Sequence, residues 1–199
     1  MTTDNFALLN EPRRPWLDTD SLKTKFLALS SEIHPDRLHK ASEAEKLAAN
    51  FQYTELNAAY NCLREPKERL LHLLELERGV KPAALQNVPP ATMDLFAEVA
   101  LLCRAADAFL AEKDGTDSPL LKVQMFERGA EWTEKVKALQ LKLNARRDEL
   151  TEKLKSMNHD WESLESPRPL ERLEELYRHF SFIARWTQQI QDRMVRLSL

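Results

Sequence analysis

Shortage of glycine limits the possible folds of this chain more than any other sequence feature. Only three glycines occur in 199 residues, at positions 79, 115 and 129. Sheets built from tight hairpins usually need more residues that accept a positive φ angle. Leu, Ala, Glu, Lys and Arg, which all have high helix propensity, dominate instead. The sequence therefore predicts an all-α fold.

Charge and hydropathy argue against two classes of partner. The formal net charge is -3 at pH 7, so no global positive field draws the chain to nucleic acid. The longest uninterrupted apolar run, Val99 to Cys103, is far shorter than the roughly 18 residues that a membrane-spanning helix needs. The first residues lack the basic-then-apolar pattern of a signal peptide. We expect no nucleic-acid partner, no membrane partner and a cytoplasmic location.

Residues with catalytic or metal-binding chemistry are scattered. The two cysteines, Cys62 and Cys103, lie far apart and form no CxxC pair, which argues against a disulfide framework or a structural zinc site. The five histidines form no HExxH motif, and the chain has no glycine-rich phosphate loop. We expect no metal, no cofactor and no catalytic residue, so the chain is not predicted to be an enzyme.

Two long helices are predicted in the first half of the chain. Apolar residues recur at spacings of four, three and four in Leu22, Phe26, Leu29 and Ile33, which places them on one helical face. Asp18 or Asp20 is the expected N-cap, and Pro35 ends this helix. The next helix is predicted over about 42–64. Its candidate core residues are Leu47, Leu56, Ala59, Tyr60 and Leu63.

Shorter segments flank these helices. An apolar piece with Phe6, Leu8 and Leu9 predicts one or two helical turns. A leucine-rich segment over 67–77 is predicted to pack on the helices before it. Residues 1–77 are therefore assigned to one domain, and glycine and prolines over 78–90 indicate a linker.

Residues 91–199 are predicted to form a second domain, a bundle of three antiparallel helices. Start signals at Ser118-Pro119 and Ser166-Pro167 separate the helices. Candidate core residues of the middle helix are Leu121, Val123, Phe126, Trp132, Val136, Leu139, Leu143, Leu150 and Leu154. Those of the last helix are Leu170, Leu173, Tyr177, Phe180, Ala184, Thr187, Ile190, Met194 and Leu197, at bundle spacing.

The most informative motif is the tripeptide His34-Pro35-Asp36 between the first two long helices. Proline fixes the turn and removes a backbone donor. Histidine and aspartate then present a donor and a carboxylate in a loop, where partner contacts tend to lie. The alternative is that Pro35 and Asp36 only end a helix, with His34 packed beside it.

The context of the tripeptide resembles a J domain. A short apolar helix with Asn5-Phe6-Ala7-Leu8-Leu9 comes first, and Leu56-Asn57-Ala58-Ala59-Tyr60 lies in the helix after the tripeptide. The resemblance implies a helical hairpin with the tripeptide at its tip. It further implies that this loop engages the ATPase domain of a seventy-kilodalton heat-shock chaperone of the DnaK type. There it promotes ATP hydrolysis and client capture.

The same resemblance implies which residues contact the chaperone. They are His34, Pro35, Asp36 and Arg37 in the loop, with Lys23 and Lys25 on the preceding helix. Basic residues on that helix of J domains meet an acidic patch of the chaperone. The alternative for the two lysines is an ordinary solvated helix face.

A narrower resemblance, to the iron–sulfur co-chaperone family HscB, covers most of the chain. Its matching motifs are Phe6 to Pro12, Leu17-Asp18-Thr19, His34 to Arg37, Ala44 to Ala49, Arg64-Glu65-Pro66 and His72 to Leu76. A J domain followed at once by a three-helix bundle is also that family's layout. The glycine/phenylalanine-rich stretch and zinc-binding repeats of ordinary DnaJ proteins are absent from this sequence.

Membership of that family would imply a client-binding patch on the bundle for an iron–sulfur scaffold protein. Met93, Phe96 and Phe182 fall on this patch by matching motifs. The sequence departs from the family over 97–102, which is more apolar than the usual charged run. Either the client surface has changed or extra helix length covers it. The competing interpretation buries all three residues in the bundle core.

Three functions stay open at this point. The first is an HscB-like co-chaperone that works with a DnaK/HscA-type chaperone in iron–sulfur assembly. The second is a J-domain adaptor for a different protein client. The third is a structural helical protein with a coincidental tripeptide.

Overall fold

The computed structural model describes residues 3–33, 42–83, 87–116, 118–163 and 167–198. Within these ranges every regular element is helical and no strand occurs, which confirms the predicted all-α class. The helices are α1 (Asn5–Leu8), α2 (Thr19–Glu32), α3 (Glu43–Arg64), α4 (Pro66–Arg78), α5 (Met93–Asp114), α6 (Pro119–Glu162) and α7 (Leu170–Ser198), with a 3₁₀ turn at Pro90–Thr92.

The ends of the first two long helices follow local capping chemistry. Asp18 is the N-cap of α2, and its side chain accepts a 2.8 Å hydrogen bond from the Ser21 N–H. Ser42 begins α3 in a capping box with Glu45, whose carboxylate accepts from the Ser42 N–H at 2.8 Å. These hydrogen bonds from Ser42 lower the pKa of Glu45. Such reciprocal caps satisfy backbone donors that a helix start leaves unpaired.

The chain divides into two compact units. The N-terminal unit comprises residues 1–83 and 153–177, and the bundle unit comprises residues 84–152 and 178–199. Helices α6 and α7 therefore contribute to both units. The domain boundaries at 1–77, 78–90 and 91–199 stay a prediction.

Helix α4 holds the N-terminal segment through two polar side chains one turn apart. Arg69 is buried, and its guanidinium donates to the Pro15 carbonyl at 2.8 Å and to the Leu63 carbonyl at 2.5 Å. Burial lowers the pKa of Arg69 to about 10, so the side chain is still a cation at neutral pH. His72 Nε2 accepts a 3.1 Å hydrogen bond from the Asn5 N–H.

The C-terminal part of α6 holds the same segment from the other end of the sequence. The Asn158 amide bonds both backbone groups of Trp16, each at 2.9 Å. The Trp161 indole N–H donates to the Arg13 carbonyl at 2.7 Å. Residues 13–16 have no helical hydrogen bonds, so these side chains supply the partners that buried backbone groups require.

In the bundle unit, α5 and α6 are antiparallel. Glu98 pairs with Lys142 at 2.7 Å, and Glu112 near the end of α5 pairs with Arg128 at 2.6 Å. As the residue number rises along α5, that of its partner on α6 falls. Helix α7 runs parallel to α5, because Phe96 contacts Trp186 and Asp107 pairs with Arg193. The result is an up-down-up bundle.

This register explains why some of the predicted core residues are not buried. Leu121, Val123 and Phe126 are exposed. Since Arg128 already lies opposite Glu112 near the end of α5, the residues of α6 before it extend past that end. Two other assignments fail because tertiary contacts, not spacing, decide burial: Leu47 in α3 and Ala184 in α7 are exposed.

The predicted helical faces are otherwise well populated. Buried residues of the bundle unit include Val136, Leu139, Leu143, Leu150, Phe180 and Ile190. No helix in the described ranges has an apolar stretch long enough to cross a membrane.

Candidate functional site

The residues predicted to contact a chaperone fall into two groups. His34, Pro35, Asp36 and Arg37 lie outside the described residues. Their flanks are described, because α2 ends at Glu32 and α3 begins after the Ser42 cap.

The two helices on either side of the tripeptide pack against each other. The Phe26 ring of α2 stacks on the Tyr60 ring of α3, with centroids 4.3 Å apart and planes at 11°. Leu22 and Leu56 are buried in the same unit. The two segments with regular apolar spacing therefore form a packed helix pair.

The two lysines of α2 differ in their surroundings. Lys23 is exposed. Lys25 forms a 2.7 Å ion pair with Glu11, and its ammonium donates to the Asn10 carbonyl at 3.2 Å. The charge of Lys25 is therefore partly neutralised within the fold, while that of Lys23 faces solvent. A chaperone contact by either lysine stays a prediction.

The residues predicted to bind a client divide by exposure. Met93 and Phe96 lie one turn apart on α5 and are 47% and 40% exposed, whereas Phe182 on α7 is 5% exposed. The Phe96 and Phe182 rings both contact the Trp186 ring, at centroid distances of 6.0 and 5.7 Å. We call Met93, Phe96, Phe182 and Trp186 the α5–α7 patch.

Trp186 was absent from the sequence prediction. It is buried and joins the two predicted phenylalanines. The spacing from Phe182 to Trp186 is i, i+4, which places both on one face of a helix. That spacing was the available signal. The geometry gives Met93 and Phe96 the accessible part of the patch, and Phe182 and Trp186 its packed base.

The two cysteines are protonated, and potential metal ligands are not grouped in the described part of the chain. Burial raises the pKa of both the Cys62 and the Cys103 thiol, so both are protonated at neutral pH. Protonated thiols are poor nucleophiles and metal ligands. In the same ranges no three His, Cys, Asp or Glu side chains are grouped to hold a metal ion.

Comparison with solved structures identifies the fold. HscB from Vibrio cholerae superimposes with a TM-score of 0.56 at 23% identity, over 96% of each chain. The human co-chaperone HscB gives a TM-score of 0.59 at 20% identity, over 97% of this chain and 81% of that one. The chain therefore shares the all-helical fold of these two structures. No protein-family model matches the chain.

Sequence relatives give the family. The HscB homolog of Burkholderia thailandensis is 34% identical over 126 residues, which cover 63% of this chain and 71% of the relative. That of Burkholderia mallei is 40% identical over 83 residues, or 42% of this chain and 47% of the relative. The chain belongs to the HscB family of co-chaperones.

Proposed function

We propose that this co-chaperone carries a J domain, stimulates the ATPase of a DnaK/HscA-type heat-shock chaperone, and delivers an iron–sulfur scaffold protein to it. One observation supports this proposal above the others. This chain belongs to the HscB family, and its His34-Pro35-Asp36 tripeptide lies in the sequence between the packed helices α2 and α3.

The chaperone contact in this proposal is made by His34, Pro35, Asp36 and Arg37, with Lys23 and Lys25 beside them. These residues offer one imidazole, one carboxylate and one guanidinium to the partner's ATPase domain. Lys23 adds a solvent-facing positive charge that favours an acidic surface. The chain itself catalyses no step, because hydrolysis of ATP takes place in the chaperone.

The client contact is made by the α5–α7 patch. Met93 and Phe96 supply accessible apolar surface, and aromatic anchors of this kind are typical centres of protein interfaces. Because the bundle and the chaperone-binding loop belong to one chain, a bound client has a high effective concentration beside the chaperone. In the proposed arrangement, residues 1–77 act on the chaperone, residues 91–199 bind the client, and residues 78–90 link these two domains. We place the protein in the cytoplasm.

A steady-state ATPase assay with purified chaperone tests the first contact. The variant His34→Gln should abolish stimulation while its unfolding free energy changes by less than about 0.5 kcal/mol, as for other surface substitutions. His159→Gln is the matched control, because His159 is an exposed histidine far along the sequence on α6. Full stimulation by His34→Gln would overturn the proposed chaperone contact.

Alanine variants test the second contact. Met93→Ala and Phe96→Ala should weaken binding of the scaffold by one to a few kcal/mol with little loss of stability. Phe182→Ala should instead cost about 3–5 kcal/mol of folding stability, because that ring is buried against Trp186. If Met93→Ala and Phe96→Ala are stable and bind the scaffold normally, the α5–α7 patch is not the binding site of the scaffold. A further outcome is that the unmodified chain does not bind the scaffold. An adaptor for a different protein client then replaces this proposal.

A further inference from the structure

The bundle unit has an apolar groove between α5 and α6 that the proposed function does not use. Its volume is about 510 Å³, and it is largely open to solvent. Its apolar walls are formed by Leu101, Leu102, Ala105, Trp132, Ala138 and Leu139. Leu101 is 65% exposed, an unusual position for a leucine in the middle of a bundle helix. We call this the α5–α6 groove.

The groove and the α5–α7 patch lie on different sides of α5. Successive residues of a helix are rotated by about 100°. From the groove residues Leu101 and Ala105, Met93 therefore lies roughly 80–120° around the axis and Phe96 roughly 140–180°. A molecule in the groove would not compete for the accessible part of the patch.

The groove has the length of a short helix. Its lining spans residues 98–105 of α5 and 132–142 of α6, or roughly 10 and 15 Å at 1.5 Å per residue. That length matches two to three turns of a helix laid along the groove. A strand would need an exposed sheet edge to bind, and the described ranges contain no strand.

Openness argues against a small-molecule site. Pockets for small ligands bury most of the ligand surface, whereas this groove is largely open to solvent. A helix lays only its apolar face into a groove and keeps its other side in water. The shape therefore favours an amphipathic helix.

The rim of the groove indicates the charge of its occupant. Lys135 and Lys142 lie two turns apart on the α6 side, and Glu98 is the acidic residue of the α5 side. Glu98 is paired with Lys142 at 2.7 Å. The exposed Lys135 ammonium lies over the Trp132 ring, 4.6 Å from its centroid. The lining thus carries two ammonium groups against one carboxylate, a net positive charge.

We propose that the α5–α6 groove is a second protein-docking surface, and that it binds an acidic amphipathic helix of a partner. Leucine-like side chains of that helix fill the space beside Leu101 and Trp132. Carboxylates at its edge meet Lys135 and the Lys142 end of the rim. The site is separate from the α5–α7 patch and does not depend on the identity of the client bound there.

A labelled peptide tests this site on the intact chain by fluorescence anisotropy. The probe is a synthetic helix of roughly 18 residues, five turns, with leucines at i, i+3, i+4 and i+7 and glutamates elsewhere. A second probe carries lysine in place of every glutamate. Leu101→Asp should weaken binding of the acidic probe by about tenfold or more. Leu141→Asp is the matched control, because Leu141 is a 70% exposed leucine outside the groove lining.

Charge reversal on the rim gives the second test. Lys135→Glu should weaken the acidic probe and strengthen the lysine probe, whereas Lys137→Glu, outside the groove lining, should leave their order unchanged. The double variant Met93→Ala/Phe96→Ala should bind the acidic probe like the unmodified chain. Absence of binding at about 1 mM probe, equal losses in Leu101→Asp and Leu141→Asp, or equal affinity for both probes would each overturn the proposal.

Discussion

Different interactions stabilise each of the two units of this protein. In the N-terminal unit, side chains such as Arg69, His72 and Trp161 hydrogen-bond to backbone groups of residues 5–15. In the bundle unit, the helices share an apolar core, and ion pairs such as Glu98–Lys142 and Glu112–Arg128 lie at its exposed surface.

The difference reflects the kind of chain that each unit must fix in place. Long helices satisfy their own backbone, so an apolar face is enough to associate them. The segment that follows α1 lacks helical hydrogen bonds between its backbone groups, so these groups need side-chain partners. Exposed ion pairs contribute little to stability, whereas the loss of a buried hydrogen-bond partner is costly. We therefore expect polar substitutions to be far more damaging in the N-terminal unit.

The largest effect is expected for Arg69→Met. This change removes the donors to the Pro15 and Leu63 carbonyls, and buried acceptors without partners should lower the unfolding free energy by about 2–4 kcal/mol. Arg196→Met is the control, because that exposed side chain pairs with Asp114 at 3.5 Å in the bundle unit and should matter little. Urea unfolding measures both variants, and equal losses would contradict the comparison.

A smaller effect is expected from protonation of His72. Desolvation lowers the pKa of His72 below its ordinary value of 6.5, although Asp4 and Glu75 oppose the shift. The unfolded chain then binds more protons than the folded one below pH 6.5, so stability is present above that pH and is lost as the pH falls. The hydrogen bond from the Asn5 N–H requires neutral Nε2, and its loss should cost about 1 kcal/mol.

Urea unfolding at pH 7.5 and pH 5.5 measures this dependence. His72→Gln should show less change between the two pH values, because its amide oxygen accepts a hydrogen bond without titrating. The exposed His159→Gln is the control and should keep the dependence of the unmodified chain. The same pH dependence in all three proteins would assign it to other groups.

The smallest effect is expected for glycine-to-alanine substitutions, one in each unit. Gly129 lies within α6, where an added Cβ would meet the Phe109 ring at an ordinary 3.9 Å. Gly129→Ala should therefore raise the unfolding free energy by about 0.5–1 kcal/mol through helix propensity. Gly79 ends α4 at φ +73°, so Gly79→Ala should lower it by about 1 kcal/mol despite open space around it. Thermal or urea unfolding that gives both variants the same sign would contradict this account.

Local sequence patterns predicted the helices well and their packing less well. Apolar spacing and prolines placed α2, α3, α5, α6 and α7, because these signals act within a few turns. The exposure of Phe126 depends on where α5 ends relative to α6, and this is set by tertiary packing. The burial of Arg69 was likewise not predicted, because a charged residue is normally expected at the surface. Its hydrogen-bond partners, the Pro15 and Leu63 carbonyls, are known only from the structure.

The candidate sites show the same division. The tripeptide could be identified from sequence because its flanking helices are local. The α5–α7 patch was found in part, because Met93, Phe96 and Phe182 were matched by motif while Trp186, which joins the phenylalanines, was not. The α5–α6 groove could not be predicted, because it exists only once the register of the two helices brings residues of both, such as Leu101 and Trp132, into one lining.

The central claim is that one chain acts on a chaperone and holds a client through separate residues. Its most direct test measures chaperone ATPase stimulation and scaffold binding on the same two variants. His34→Gln should lose stimulation and keep scaffold binding, whereas Met93→Ala/Phe96→Ala should keep stimulation without scaffold and lose scaffold affinity by about tenfold or more. Loss of both activities in both variants, or of neither activity in His34→Gln, would contradict the account.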